Sequence, residues 1–145
     1  MKQYKAVFID WDDTIGDFVG AAKRALQEMY GKYKLSDYFA SHEEFVSLYK
    51  PHNIELWQLY GEDKVTKAFL RVDRFLYPLL HGSKVASQIQ SNTILSALAE
   101  QMSEDFLHLT TKYFSLLPGA EELVRYLAKK YPLTVVTNGF IEVQY

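Results

Sequence analysis

Ala6-Val7-Phe8-Ile9-Asp10-Trp11-Asp12-Asp13-Thr14-Ile15 is the stretch whose reading decides the fold. Its first four residues are a short continuous apolar run, rich in β-branched and aromatic side chains. That pattern predicts a strand buried on both faces, as in a parallel sheet. The run ends in acids. Asp10 and Asp12 are two apart, so on a strand they share a face, about 6–7 Å from one another, and project together from its carboxyl end. In open α/β sheets that end is where ligands bind. Asp13 adds a third carboxyl, and Thr14 a hydroxyl placed to steady one of them. Crowded carboxylates repel, a divalent cation relieves the repulsion, and aspartate oxygens suit Mg²⁺. The alternative is a plain polar turn after a strand, with Asp as turn former.

The other end of the chain repeats the motif in weaker form. Leu133–Val136 is a second β-rich run, and it stops at Thr137-Asn138-Gly139. Helical periodicity fills the space between. Phe18, Ala21, Ala22, Ala25, Leu26 and Met29 make one stripe, with Asp17 as N-cap and Gly31 as stop. Ser41 and Glu44 have capping-box spacing, opening a helix through about Lys50. Pro51 ends or kinks it, and a second piece runs Asn53–Tyr60 before Gly61. Thr66 caps a helix carrying Phe69, Val72, Phe75 and Leu76, with Pro78 near its end. After a polar stretch beyond His81-Gly82-Ser83, a long helix carries Leu95, Leu98, Met102, Phe106, Leu109 and Tyr113. Pro118-Gly119 is a turn or helix start, and the stripe Ala120, Leu123, Val124, Leu127, Ala128, Tyr131 runs to a break at Pro132.

Composition narrows the class. The 145 residues fit one ordinary domain, and 48% of them are hydrophobic, as in a globular protein. The 16 basic and 18 acidic residues leave a net charge of −2, too little positive field for a nucleic-acid polymer. With no cysteine there is no disulfide scaffold and no thiolate zinc site, and the four histidines lack metal-site spacing. No membrane partner is expected, because no apolar run approaches 18 residues, and Asp10 interrupts the N-terminus before a signal-peptide core develops. These bounds predict a soluble cytoplasmic protein. Two parallel strands do not make a sheet that stands alone. A truncated α/β protein is therefore expected, with completion by another chain as the alternative.

Phe8-Ile9-Asp10-Trp11-Asp12-Asp13-Thr14-Ile15 resembles the first motif of the haloacid dehalogenase (HAD) superfamily, an apolar strand followed by Asp-x-Asp-x-Thr. Val135-Val136-Thr137-Asn138-Gly139 resembles its second motif, an apolar strand ending in Thr or Ser. The intervening helices match a cap inserted after the first motif. The resemblance implies an α/β fold: a partial Rossmann-like parallel sheet core at 1–16 and 115–145, with a helical-bundle cap at 17–114. Thr137-Asn138-Gly139-Phe140 and the stretch Glu55-Leu56-Trp57 to Tyr60-Gly61 are similar to bacterial pyrimidine 5′-nucleotidases.

The resemblance further implies phosphate-monoester hydrolysis. Asp10 is the nucleophile that forms an aspartyl-phosphate. Asp12 protonates the leaving alcohol and later deprotonates water. Mg²⁺ is held by the Asp10 carboxylate and by Asp12, through its backbone carbonyl. Thr14, Thr137, Asn138 and Gly139 are expected to bind phosphate. A carboxylate about 4 Å from a dianionic phosphate faces roughly 8 kcal/mol of repulsion at an effective dielectric near 20, which is why a cation is needed. An alkoxide leaving group needs an acid and a halide does not, so Asp12 favours phosphoester over carbon–halogen chemistry. The expected substrate is a small phosphorylated molecule, a nucleoside 5′-monophosphate. Arg24, Arg71, Arg74, Trp57, Tyr60 and Tyr77 are candidates for gripping base or sugar, against the alternative of solvated arginines and core aromatics. Trp11 is expected on the strand's other face, as packing. A phosphomutase, a phosphoacceptor switch and a non-catalytic helical interaction module are the competing readings. The family's Lys and acidic pair follow the second motif, and Tyr145 comes before either, so little turnover is expected from these 145 residues alone.

Overall fold

The computed structural model describes residues 4–85 and 92–140. The element order is β1 (Val7–Asp10), α1 (Phe18–Lys32), a 3₁₀ turn at Leu35–Asp37, α2 (His42–Gly61), α3 (Lys67–His81), α4 (Asn92–Lys112), α5 (Ala120–Ala128) and β2 (Leu133–Val136). The chain divides into two compact units, Met1–Ala25 with Leu107–Tyr145, and Leu26–Phe106.

The first unit holds the sheet. β1 and β2 pair in parallel, in the register Val7–Leu133 to Asp10–Val136, and the Val7 amide donates to the Pro132 carbonyl. Ile9, Ile15 and Ala120 form its core, with Trp11, Val124 and Leu127 packed against them. Gly119 begins α5 with φ +79°, a left-handed conformation that glycine takes without steric cost. The sheet departs from expectation on one point. Ile9 is buried, but Phe8 is 71% exposed and Val135 and Val136 are half-exposed. Among the described residues the sheet has two strands, and the Phe8 face of β1 is left open while the Ile9 face is covered, so β1 is not buried on both faces. α5 also stops at Ala128, short of Tyr131, and Leu123 within it is exposed.

The second unit is helical and its core is aromatic. Phe39, Phe45, Tyr49, Phe75 and Phe106 are buried, with consecutive ring centroids 5.2–6.1 Å apart. Such pairs add about 0.5–1.5 kcal/mol each beyond area burial. Lys32 and Tyr33 both reach Asp105, the tyrosine at 2.7 Å, and so tie the end of α1 to α4. Burial, followed by the Asp105 hydrogen bond and charge, pushes the Tyr33 hydroxyl well above the usual tyrosine range.

Three local expectations are corrected. α2 runs unbroken through Pro51, because Phe45, Tyr49 and Leu56 are buried along it and their burial outweighs the proline's cost of about 3 kcal/mol. Gly31 is helical, and the left-handed residue that ends this region is Lys34, at φ 49°. On α3 the buried face is Leu70, Phe75 and Leu79 rather than a stripe through Phe69, which is half-exposed.

Only half of the capping box forms. Ser41 Oγ accepts from the Glu44 amide at 3.2 Å. The Glu44 carboxylate accepts instead from the Ala40 amide, the Ser83 amide at 2.7 Å and Ser83 Oγ at 2.9 Å, linking α2 to the turn after α3. Burial raises its affinity for a proton, but those bonds and nearby Lys84 outweigh it and hold the carboxyl below its ordinary 4.5. A lowered folded value stabilises the fold above about pH 4.5, and that contribution is lost as pH falls through the folded value. Denaturant titrations from pH 7 to 3 are therefore expected to show an acid-side loss that Glu44→Gln reduces, while the variant is less stable at pH 7. Gly82, in the same turn, sits where a β-carbon would lie 2.5 Å from the Tyr38 carbonyl oxygen. Gly82→Ala is expected to cost about 1–3 kcal/mol, read as a lowered unfolding midpoint.

Candidate active site

The loop after β1 is shaped by its own backbone. The Trp11 carbonyl accepts from the amides of Ile15 at 3.0 Å and Gly16 at 2.9 Å, and the Asp13 amide donates to the Gly16 carbonyl at 2.7 Å. This turn folds the chain back so that Leu117 N donates to Ile15 O and Asp17 N to Ser115 O, each at 2.8 Å. Trp11 stacks on Phe114 with centroids 5.5 Å apart and ring planes within 3°. Its expected packing role is what the structure gives. Gly16 lies under the same phenyl ring, where a β-carbon would collide with Phe114.

The turn presents Asp10 and Asp12 differently. Asp10 is exposed, and its Oδ2 accepts from Thr14 Oγ1 at 3.3 Å. Asp12 is partly buried, and Thr137 Oγ1 lies 3.5 Å from its Oδ2, on the limit of a hydrogen bond. Thr137 Oγ1 in turn accepts from the Gly139 amide at 3.0 Å. The parallel register thus brings the ends of both strands together: Asp10 pairs with Val136, and Thr137 follows directly. Of the residues singled out, these contacts link Asp10 to Thr14, and Asp12 through Thr137 to Gly139. Asn138 is exposed beside them.

Asp13 has another task. It stands at φ 55°, and its Oδ1 accepts from the Val19 amide at 2.9 Å, while Asp17 Oδ1 accepts from the Gly20 amide at 2.8 Å. Two carboxylates thereby satisfy donors that the first turn of α1 leaves without helical partners. The sequence read Asp13 only as a third acid beside Asp10 and Asp12; the signal for its capping role was the helical stripe starting at Phe18.

The base-gripping candidates are dispersed. Arg24 lies over the Tyr113 ring at 4.3 Å, and Arg71 pairs with Glu104 at 2.6 Å. Arg74 is 2% exposed, with its guanidinium 4.6 Å from the Phe106 ring, so it is a core residue. Tyr77 is stacked between His52 and His81, at 4.1 Å from each. Trp57 and Tyr60 meet edge to face on α2. Among the described residues no three His, Asp or Glu side chains converge as a metal cage. The pair Asp10 and Asp12 remains, which matches the one or two carboxylates by which Mg²⁺ is usually held.

Replacing Asp13 tests the helix-start assignment. Asp13→Ala loses the cap and keeps an unfavourable left-handed residue, with an expected cost of about 1–2 kcal/mol. Asp13→Gly relieves the backbone and is expected to cost less, as compared by thermal unfolding.

No family model matches the chain. It is 30% identical, over all 145 residues, to YfnB of Bacillus subtilis (strain 168), a protein named as a HAD-hydrolase. The chain spans 55% of that protein's length. A crystal structure of YfnB bound to magnesium superposes with a TM-score of 0.79 at 24% identity, covering 99% of this chain and 58% of that one. The fold is accordingly HAD-like: a small parallel sheet core with mostly helical content inserted between its strands.

Proposed function

We propose that this chain carries the nucleophile half of a HAD-type phosphomonoesterase, a Mg²⁺-dependent cytoplasmic hydrolase of nucleoside 5′-monophosphates, with 17–114 as the cap that selects the substrate. The observation that carries the reading is the pair of contacts at the strand ends: exposed Asp10 steadied by Thr14, and Asp12 beside Thr137. The relationship to a protein named as a HAD-hydrolase, whose structure holds magnesium, supports it.

In this reading the two acids divide the work by position. Asp10, open to solvent, attacks phosphorus through a carboxylate oxygen, forming an acyl-phosphate bond as the ester P–O bond breaks. The departing alkoxide takes a proton from Asp12. Asp12, now ionised, removes a proton from a water that attacks phosphorus, and the Asp10–phosphorus bond breaks to release inorganic phosphate. Thr137 orients the Asp12 carboxyl in the free protein, and its one hydroxyl proton turns to a phosphoryl oxygen when substrate is bound. Thr14, Asn138 and Gly139 complete the phosphate contacts. The Asp10 carboxylate and the Asp12 backbone carbonyl would hold Mg²⁺, which would supply the positive charge that offsets the repulsion between carboxylate and phosphate.

The test measures phosphate release from nucleoside 5′-monophosphates by a protein that contains this chain. Asp10→Asn is expected to lose at least about a thousandfold in kcat, and Asp12→Asn about 10²–10⁴-fold. Chelation is expected to silence turnover and Mg²⁺ to restore it. Undiminished turnover by Asp10→Asn would falsify the assignment of the nucleophile, and a rearranged sugar phosphate in place of free phosphate would mark a mutase.

A further inference from the structure

The helical unit contains a cleft of about 450 Å³ between α3 and α4 that the chemistry at the strand ends does not use. Ala68, Arg71 and Val72 line it from α3, and Glu100, Gln101 and Glu104 from α4, both sets at helical spacing. Its volume lies within the usual range for small-molecule sites. The cation in it is incompletely paired. Arg71 is largely buried, with its side chain 18% exposed; Nη2 donates to Glu104 Oε1 at 2.6 Å, while Nε is shielded from solvent and has no partner. Nε and an Nη form one edge of the guanidinium, the fork that grips a carboxylate with two parallel hydrogen bonds. Glu104 fills one prong only, and at 76% exposed it is the solvent-facing member of the pair. One turn further along α3, Arg74 is buried with Nε and Nη2 also unpartnered.

The lining fixes the class of ligand. Two glutamates against one arginine disfavour a dianionic phosphate. They favour a molecule with one carboxylate for the Arg71 fork and one ammonium for Glu100 and Glu104. Ala68 and Val72 offer an apolar wall to a short aliphatic chain between those groups. We propose that this cleft binds a small aliphatic amino acid, its carboxylate displacing Glu104 from Arg71 and its ammonium facing the two glutamates. No bond is made or broken. Glu104 acts as an internal competitor that holds the fork in the free protein.

Calorimetric titration of the full chain tests this with norvaline, valerate (no ammonium), pentylamine (no carboxylate) and inorganic phosphate. Norvaline is expected to bind saturably at about millimolar Kd, and each of the other three at least tenfold more weakly. Arg71→Gln is expected to lose norvaline binding at least tenfold. Glu104→Ala, an exposed position, is expected to bind valerate several-fold more tightly than the parent chain, because it frees the second prong. A merely structural ion pair does not produce that gain. Failure of norvaline to bind, equal binding of phosphate or valerate by the parent chain, or unchanged binding by a folded Arg71→Gln overturns the proposal. Circular dichroism confirms the fold of each variant.

Discussion

The Trp11 carbonyl is the point on which the rest of this structure turns. By accepting from both Ile15 and Gly16 it closes a tight loop directly after β1. That closure leaves Asp10 at the strand's end, sets Asp12 beside Thr137 and starts α1 only eight positions after Asp10. A looser connection would let two like-charged side chains drift apart, since their repulsion favours separation. Gly16 makes the loop possible, as any side chain there meets Phe114, which is itself held by stacking on Trp11. The rigidity of the acids is therefore bought by packing below them rather than by bonds between them.

Much of this was legible in the sequence, for reasons that differ by element. β1 and β2 announced themselves as short apolar runs, and the helices through period and caps: Asp17, Ser41 and Thr66 each accept the backbone bond their position calls for. The meeting of Asp12 and Thr137 was readable because parallel pairing of the two runs brings their carboxyl ends together. The capping task of Asp13 was signalled only indirectly, by the helical stripe that starts at Phe18, and its left-handed backbone angle was not. Glu44 misled for a related reason. Capping-box spacing predicts a local bond, whereas the carboxylate is drawn to Ser83, 39 positions away. Arg74 was misjudged because a charged residue on a helix reads as solvated, and only the surrounding Tyr49, Phe75 and Phe106 rings reveal that it is enclosed. The exposure of Phe8 likewise lay beyond pattern reading: an apolar run says that a strand prefers cover, not whether both faces receive it.

The helical unit shows how an aromatic core tolerates cations. Ring faces carry partial negative charge, so a guanidinium enclosed among them is stabilised without a carboxylate, though less completely than by an ion pair. Arg74 illustrates that compromise, and burial correspondingly lowers its hold on its proton, with Arg71 adding to the effect and Tyr49 opposing it. Glutamates on the rim, Glu100 and Glu104, stay hydrated instead of following the arginines inward.

The Lys32–Asp105 pair has a consequence for how the chain assembles. Thr137 and Asp12 meet across 125 positions, a long and entropically costly closure, and the ion pair spans 73 of those positions. If the helices condense first, the slack left to be gathered shrinks, and the logarithmic law for loop entropy puts the saving at roughly 0.8 kcal/mol. Contacts so distant in sequence slow folding, because their closure entropy is lost before they reward it. Prior condensation of the insertion therefore eases the meeting of the two strand ends.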